Sequence, residues 1–328
     1  MNTTLDSAAL ARMDAADVLA PLRAEFHIPS RQDGSPGVYF CGHSLGLAPR
    51  NAATIVNEEL TAWARYGVEG HFESTRPWLS YHEQLTPGLA RLAGALPSEV
   101  VAMNSLTVNL HLMLMSFYRP TSERPCIVIE KSAFPSDRYA VASQVLQRGF
   151  DPARCMIEIG PRPGEHLIRM EDLYELLEQR GSTIATVMLP GVQYLSGQCF
   201  DMRDITAHAH RHGITVGFDL AHAMGNIPLA LHDWNVDFAV WCSYKYLNSG
   251  PGAIGGCFVH ERHARAFDLP RLAGWWGHDK ASRFEMPERF QPLPGAEGWQ
   301  ISNPSVLSAA PLIASLALFD RAGVDRLR

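Results

Sequence analysis

Short apolar runs alternate with longer amphipathic stretches through the middle of this chain, and that alternation limits the fold more than any other feature. The runs Cys126 to Glu130, Cys155 to Ile159, Ile184 to Leu189, Ile214 to Asp219, Phe238 to Cys242 and Ala253 to Val259 read as strands. Between and before them, Leu106 to Tyr118, Asp137 to Gln147, Met170 to Arg180 and Met202 to His212 read as helices. Such a sequence of elements builds βαβ units and hence an α/β fold, a mostly parallel central sheet with helices on both faces. In such sheets ligands bind outside the carboxyl ends of the strands. Residues 1–60 read as an N-terminal arm and 61–290 as the large domain. The Pro/Gly-rich stretch Pro287 to Pro304 marks a boundary, so that 291–328 read as the start of a smaller, incomplete second lobe, its helical pattern beginning at Val306.

With 328 residues, 46% of them hydrophobic, the chain can bury a large core. A net charge of −6 offers no basic field for nucleic acid or an anionic membrane, so the expected partner is a small molecule. No run approaches the roughly 18 apolar residues that a membrane span needs. The N-terminal residues lack the basic start and continuous apolar core of a signal peptide. The six cysteines are scattered without a CxxC pair, which suits a reducing cytoplasm.

Four features carry chemistry. Lys245 closes the apolar run from Val236 and is followed by Tyr-Leu-Asn-Ser-Gly-Pro-Gly252, which places an ammonium where a buried strand meets a tight loop. An ammonium stripped of hydration gives up its proton more readily, and the free amine forms a Schiff base with an aldehyde cofactor; the plain alternative is a lysine reaching out to water. Asp219 ends the run Gly213-Ile-Thr-Val-Gly-Phe-Asp219, and at a neighbouring strand end it could hold the pyridine nitrogen of pyridoxal phosphate protonated, or simply cap a helix. Asn104-Ser-Leu-Thr107 opens an apolar helix whose N–H groups and hydroxyl suit a phosphate, though such residues also cap helices. Phe134-Pro-Ser-Asp137 offers an aromatic to stack on a pyridine ring and an acid for the same pocket or for capping.

Taken with Phe218-Asp219-Leu-Ala-His222-Ala, Ser243-Tyr-Lys245-Tyr-Leu-Asn-Ser-Gly, Met103-Asn-Ser-Leu-Thr-Val-Asn-Leu-His111, Gly274-Trp-Trp-Gly-His278 and Ile301-Ser-Asn-Pro304, these motifs resemble kynureninase from about Val38 onward. The resemblance implies fold type I of the pyridoxal-phosphate enzymes and hydrolysis of L-kynurenine, or its 3-hydroxy derivative, to anthranilate (or 3-hydroxyanthranilate) and L-alanine. It implies that Lys245 holds pyridoxal 5'-phosphate and acts as general base, that Asp219 pairs with the pyridinium, and that Phe134 stacks on the ring beside His222 and Asp137. Leu106, Thr107, Tyr244, Trp275 and Asn303 would surround phosphate and substrate, with Tyr244 as proton relay. Ser44, His71, Trp276 and Ser302 would line the substrate pocket, with Trp276 and His71 against the aryl ring. A homodimer is implied, Trp275 and Asn303 serving the neighbour's cofactor.

Family members carry a C-terminal arginine for the substrate carboxylate; Arg321, Arg326 and Arg328 stand in another context and none is assigned to that task. The readings set beside kynureninase are another enzyme of the same cofactor group, a desulfurase or lyase, and a non-catalytic binding protein of the same fold. His208, His210 and His212 invite a metal reading, but without a convincing third ligand they read as cations at a helix end, so no metal is expected.

Overall fold

A computed structural model describes residues 6–327; Met1 to Leu5 and Arg328 lie outside the described residues. Helix α1 (Ser7–Ala16) precedes a two-stranded ladder, β1 (Phe26–His27) with β2 (Ala48–Pro49). Then follow α2 (Ala52–Tyr66), the single turn α3 (Gly70–Glu73) and α4 (Thr86–Ala93). The main body alternates β3 (Val100–Ala102), α5 (Leu106–Phe117), β4 (Cys126–Glu130), α6 (Pro135–Gln147), α7 (Pro152–Cys155), β5 (Met156–Ile159), α8 (Met170–Arg180), β6 (Ile184–Pro190), α9 (Met202–Arg211) and β7 (Thr215–Asp219). It closes with β8 (Phe238–Trp241), β9 (Gly256–Val259) and α10 (Val306–Ala322).

Seven strands form one sheet in the order β3-β9-β8-β7-β6-β4-β5. The pairs β4/β5, β4/β6, β6/β7 and β7/β8 are parallel, whereas β9 runs antiparallel to both β8 and β3. The sheet is therefore mostly parallel, with one reversed strand that the apolar pattern alone did not orient. The run from Ala253 becomes strand only at Gly256, because the N–H groups of Ile254 and Gly255 donate instead to Ser308 and Asn104 carbonyls.

Strand side chains alternate between two cores, as the period of two requires. On one face Val128, Val216, Phe218 and Trp241 pack with α4, α8, α9 and α10; on the other Ile127, Ile129, Phe238 and Val240 pack with α5, α6 and Trp299. Each large side chain fully removed from water there contributes about 1.5–3 kcal/mol. Helix α10 lies against α2 and α4, where Gly88 leaves room for Leu316, whose side chain would stand 3.1 Å from any added Cβ.

A buried ion cluster fastens β7 and β8 to the flank of the sheet. Asp237 Oδ2 accepts from the Val216 N–H and meets His210 Nε2, both at 2.8 Å, while Oδ1 meets His263 Nε2 at 2.8 Å and the Arg262 guanidinium at 2.6 Å. His210 is thus committed to a carboxylate, His208 stacks on Tyr174 at 3.8 Å, and His212 faces Glu178 at 3.4 Å. Burial opposes the Asp237 charge, but His210, His263 and Arg262 together hold its carboxyl far below the usual range. A depressed folded-state value means a contribution to stability that is full above about pH 4 and is lost as pH falls further. Asp237→Asn is expected to cost about 3 kcal/mol at pH 7 and to flatten the acid limb of stability; chemical denaturation at pH 7 and pH 3 checks both, and equal losses at the two values would refute the assignment.

Candidate active site

The carboxyl ends of β4, β6 and β7 meet the N-terminus of α5 around a cavity open to solvent. Leu106, Thr107, Phe134, Asp137, Asp219, His222, Tyr244 and Lys245 all line it, together with Glu130, Ser136, Pro190, Val192, Tyr194 and Ala221. Each arrives there for a local reason. The N–H of Gly255 donates to the Asn104 carbonyl at 2.7 Å, which pins the start of α5 to the sheet. An added Cβ on Gly255 would stand 2.9 Å from the Trp241 carbonyl oxygen and 3.2 Å from the Leu106 nitrogen, so the helix start could not keep this approach with a larger residue here. Ser105, the N-cap of α5, makes no side-chain capping bond, which leaves the helix start available to an anion rather than sealed.

Lys245 follows β8 by four residues in a tight turn. Asn248 N–H donates to the Lys245 carbonyl at 3.0 Å and Ser249 N–H to Ser243 at 3.1 Å. The segment from Cys41 to Gly46 covers this turn: the Gly46 N–H donates to the Tyr244 carbonyl at 2.8 Å, and a Cβ on Gly46 would fall 2.3 Å from the Lys245 carbonyl oxygen. The ammonium points inward. Its Nζ lies 3.0 Å from His222 Nε2 and 5.8 Å from the centre of the Phe134 ring. Burial first, then the charges of Lys245 and His43, push His222 down to about 4, so its imidazole is neutral at pH 7 and accepts from the lysine.

Asp219 is buried and no helix follows it; Oδ1 accepts from the Ala221 N–H at 2.6 Å in a local turn. Asp137 falls inside the first turn of α6, which starts at Pro135, so it is no N-cap, and it lines the same cavity as Asp219. Burial and the Asp219 charge push the Asp137 carboxyl well above the ordinary carboxylate range, and burial raises Asp219 too. Two neighbouring buried carboxyls disfavour a second negative charge, so the pair titrates as a unit. Among the described residues Asp137 Oδ1, Glu130 Oε2 and Ser243 Oγ are buried without a hydrogen-bond partner.

This donor set fits pyridoxal phosphate. The open helix start with Thr107 suits the phosphate, Asp219 the ring nitrogen, Phe134 the ring face and Lys245 the aldehyde carbon. Tyr244 sits beside them, its hydroxyl pushed up to about 12 by burial and by the neighbouring Cys242 thiol, so it keeps its proton.

The remaining expected residues lie outside the cavity lining. Trp276 is 1% exposed, with the Arg283 guanidinium 4.4 Å over its ring, so within one chain it is a core residue rather than a wall for an aryl group. Trp275 is 41% exposed, and Ser302, Asn303 and Ser44 are exposed. His71 packs edge-on against Trp78 at 5.5 Å. Arg321 pairs with Glu25 at 2.8 Å and Arg326 bonds back to the Arg321 carbonyl. Glu130 and Tyr194 are cavity residues that the motifs did not single out. Glu130 gave the same signal as Asp219, an acid ending an apolar strand.

Three comparisons bear on this geometry. The aminotransferase class-V family pattern matches residues 46–275. A kynureninase of Koribacter versatilis is 58% identical over 316 residues, 96% of this chain and 74% of the relative. A kynureninase of Myxococcus xanthus is 58% identical over 324 residues, 98% of this chain and 76% of the relative. Among solved structures, the cysteine desulfurase CsdA of Escherichia coli superposes with a TM-score of 0.74 at 20% identity, covering 94% of this chain and 73% of that one. A cysteine desulfurase of Thermococcus onnurineus gives 0.69 at 17%, covering 93% and 70%, a likeness of fold alone.

Proposed function

This chain belongs to the aminotransferase class-V family and, within it, to the kynureninases, and on that premise we propose which of its residues carry the reaction. It is a pyridoxal-phosphate-dependent hydrolase that cleaves a carbon–carbon bond of L-kynurenine to give anthranilate and L-alanine, a step of tryptophan breakdown. The observation that carries the assignment of roles is the convergence of Lys245, Phe134 and the buried Asp219–Asp137 pair in one cavity beside the open start of α5.

Bound pyridoxal phosphate supplies an aldehyde that condenses with amines and a protonated ring that draws electrons from the substrate's α-carbon. Leu106 and Thr107 would receive its phosphate, and Asp219 would favour a proton on the ring nitrogen. Lys245 would hold the aldehyde carbon of the cofactor, and its freed amine would take the proton from the substrate's α-carbon. His222 holds the lysine amine in place through Nε2. Water adds to the side-chain ketone, the bond between β- and γ-carbons breaks, and Tyr244, which keeps its proton at neutral pH, delivers one to the β-carbon.

Product analysis tests the reading. Incubation with L-kynurenine is expected to give anthranilate and L-alanine in equal amounts, whereas sulfur release from L-cysteine without anthranilate would favour the desulfurase alternative. Tyr244→Phe is expected to lower kcat about 100-fold with little change in melting temperature, and a kcat within threefold of the parent would remove the relay role.

Homodimerisation is part of the same proposal. Trp275 meets Phe284 edge-on at 5.4 Å, both rings half-exposed, beside the exposed Met286. Such an apolar surface next to Ser302 and Asn303 suits a second copy, whose cofactor those residues and His71 would then approach. Light scattering of the purified protein is expected to give twice the chain mass; a fully active monomer would overturn it.

A further inference from the structure

The segment from Gly274 to Met286 carries a buried guanidinium with no anion beside it. Arg283 is 3% exposed, and among the described residues it makes no ion pair. A charge taken out of water is expensive unless other groups answer it. One terminal nitrogen of Arg283 donates to the Trp276 carbonyl at 2.6 Å and to the His278 carbonyl at 3.1 Å, while the guanidinium carbon stands 4.4 Å over the Trp276 ring. The backbone carbonyl of Arg283 accepts from the Trp275 indole N–H at 3.1 Å. Arg283 thus grips both tryptophans of the turn, Trp276 through its carbonyl and ring and Trp275 through its indole N–H. The turn has no room to retreat from this grip. A Cβ on Gly274 would stand 2.2 Å from the Ile301 carbonyl oxygen and one on Gly277 2.6 Å from that of Gln300, so the backbone already lies against residues 300–301. His278 closes the far end: its Nδ1 accepts from the Gln291 N–H at 3.0 Å, which leaves Nε2 to donate to the Ser282 hydroxyl at 3.1 Å.

We propose that Arg283 is a positioning residue for the cofactor site of a second copy: it fixes the outward pose of Trp275, the ring that would reach the neighbour's pyridoxal phosphate. The proposal rests on the homodimer reading above, in which Trp275 serves the partner's site. Trp275 is 41% exposed, and a ring at the surface changes rotamer unless something holds it. Its N–H bond to the Arg283 carbonyl and its edge contact with Phe284 at 5.4 Å do so, and both partners belong to the single turn Arg283–Glu285. The guanidinium ties that turn back to the motif. Arginine suits the task, because a planar fork lies flat on Trp276 while its edge donates to two carbonyls, which the point charge of a lysine does not combine.

Hybrid dimers test it, read in pyridoxal phosphate affinity through the visible absorbance that only a Lys245-bearing site develops. Two differently tagged chains are co-expressed and the mixed dimer is purified on both tags, with light scattering and a thermal melt of each form. R283M keeps an apolar chain over Trp276 and removes the buried charge, so it is expected to fold. Its homodimer is expected to bind pyridoxal phosphate about tenfold more weakly than the parent. The R283M/K245A hybrid holds one lysine-bearing site, and Trp275 reaches that site from the protomer whose Arg283 is intact. Its Kd is therefore expected within about threefold of the parent's, as is that of a W275A/K245A hybrid. A hybrid as weak as the R283M homodimer would place the effect within one chain and overturn the proposal, as would an R283M homodimer that binds like the parent. If R283M does not fold, R283K, which also loses the flat fork, takes its place. Recovery in the W275A/K245A hybrid alone would leave Trp275 serving the neighbour without Arg283 holding it. A monomeric parent, or recovery in neither hybrid, would instead overturn the homodimer reading, and so the two failures are told apart.

Discussion

Lys245→Ala is expected to lower kcat/KM for L-kynurenine by at least about 10⁴-fold, because one side chain supplies both the covalent anchor and the general base. The same substitution is expected to abolish the visible absorption of lysine-linked cofactor, while leaving the fold intact. The reason lies in what Lys245 touches. Among the described residues its side chain hydrogen-bonds only His222, and its turn is held by backbone bonds from Gly46, Asn248 and Ser249 that alanine keeps. Cofactor is still expected to bind without the covalent link, since the start of α5, Asp219 and Phe134 are unchanged. Absorbance, cofactor content after gel filtration and steady-state rates together separate anchoring from catalysis. Turnover within about 100-fold of the parent, in the range where another base can substitute, would show that Lys245 is not the base.

Much of this site is legible in the sequence for one physical reason. A charged residue at the end of a buried apolar run is expensive unless something charged or reactive meets it, and Asp219 and Lys245 both stand there. The helix opening at Leu106 and Thr107 was readable as well, because a polar start followed by an apolar run marks an N-terminus. Direction was not readable: Cys257 to Val259 has the same apolar character as a parallel strand, and only its pairing with β8 and β3 shows that β9 runs reversed. Nor does adjacency report orientation. Trp275 and Trp276 are neighbours in one motif, yet the first lies at the surface and the second in the core over Arg283. Long-range partners were also hidden. His210 reads as a helix-end cation until Asp237, 27 residues away, is placed beside it.

Asp219→Asn is expected to lower kcat/KM about 1,000-fold, roughly 4 kcal/mol of transition-state stabilisation. The amide is nearly isosteric and its oxygen can still accept from the Ala221 N–H, so the local turn survives and the melting temperature is expected to hold. What disappears is the negative charge that keeps a proton on the ring nitrogen, and without that proton the ring is a poor acceptor for the electrons of the α-carbon. Asp137 does not replace it. Burial and the Asp219 charge push its carboxyl well above the ordinary range, toward the uncharged form. Removing the Asp219 charge relaxes one of those causes but leaves the burial, so Asp137 stays the weaker partner. Asp137→Asn alone is therefore expected to cost far less, about tenfold, and the double variant little more than Asp219→Asn, because the two carboxyls act as one coupled pair. Steady-state kinetics on the three variants, with cofactor content measured for each, decide the matter. A loss in Asp137→Asn as large as in Asp219→Asn would mean that the two carboxyls hold the ring proton jointly and that the division of labour drawn from their surroundings is wrong.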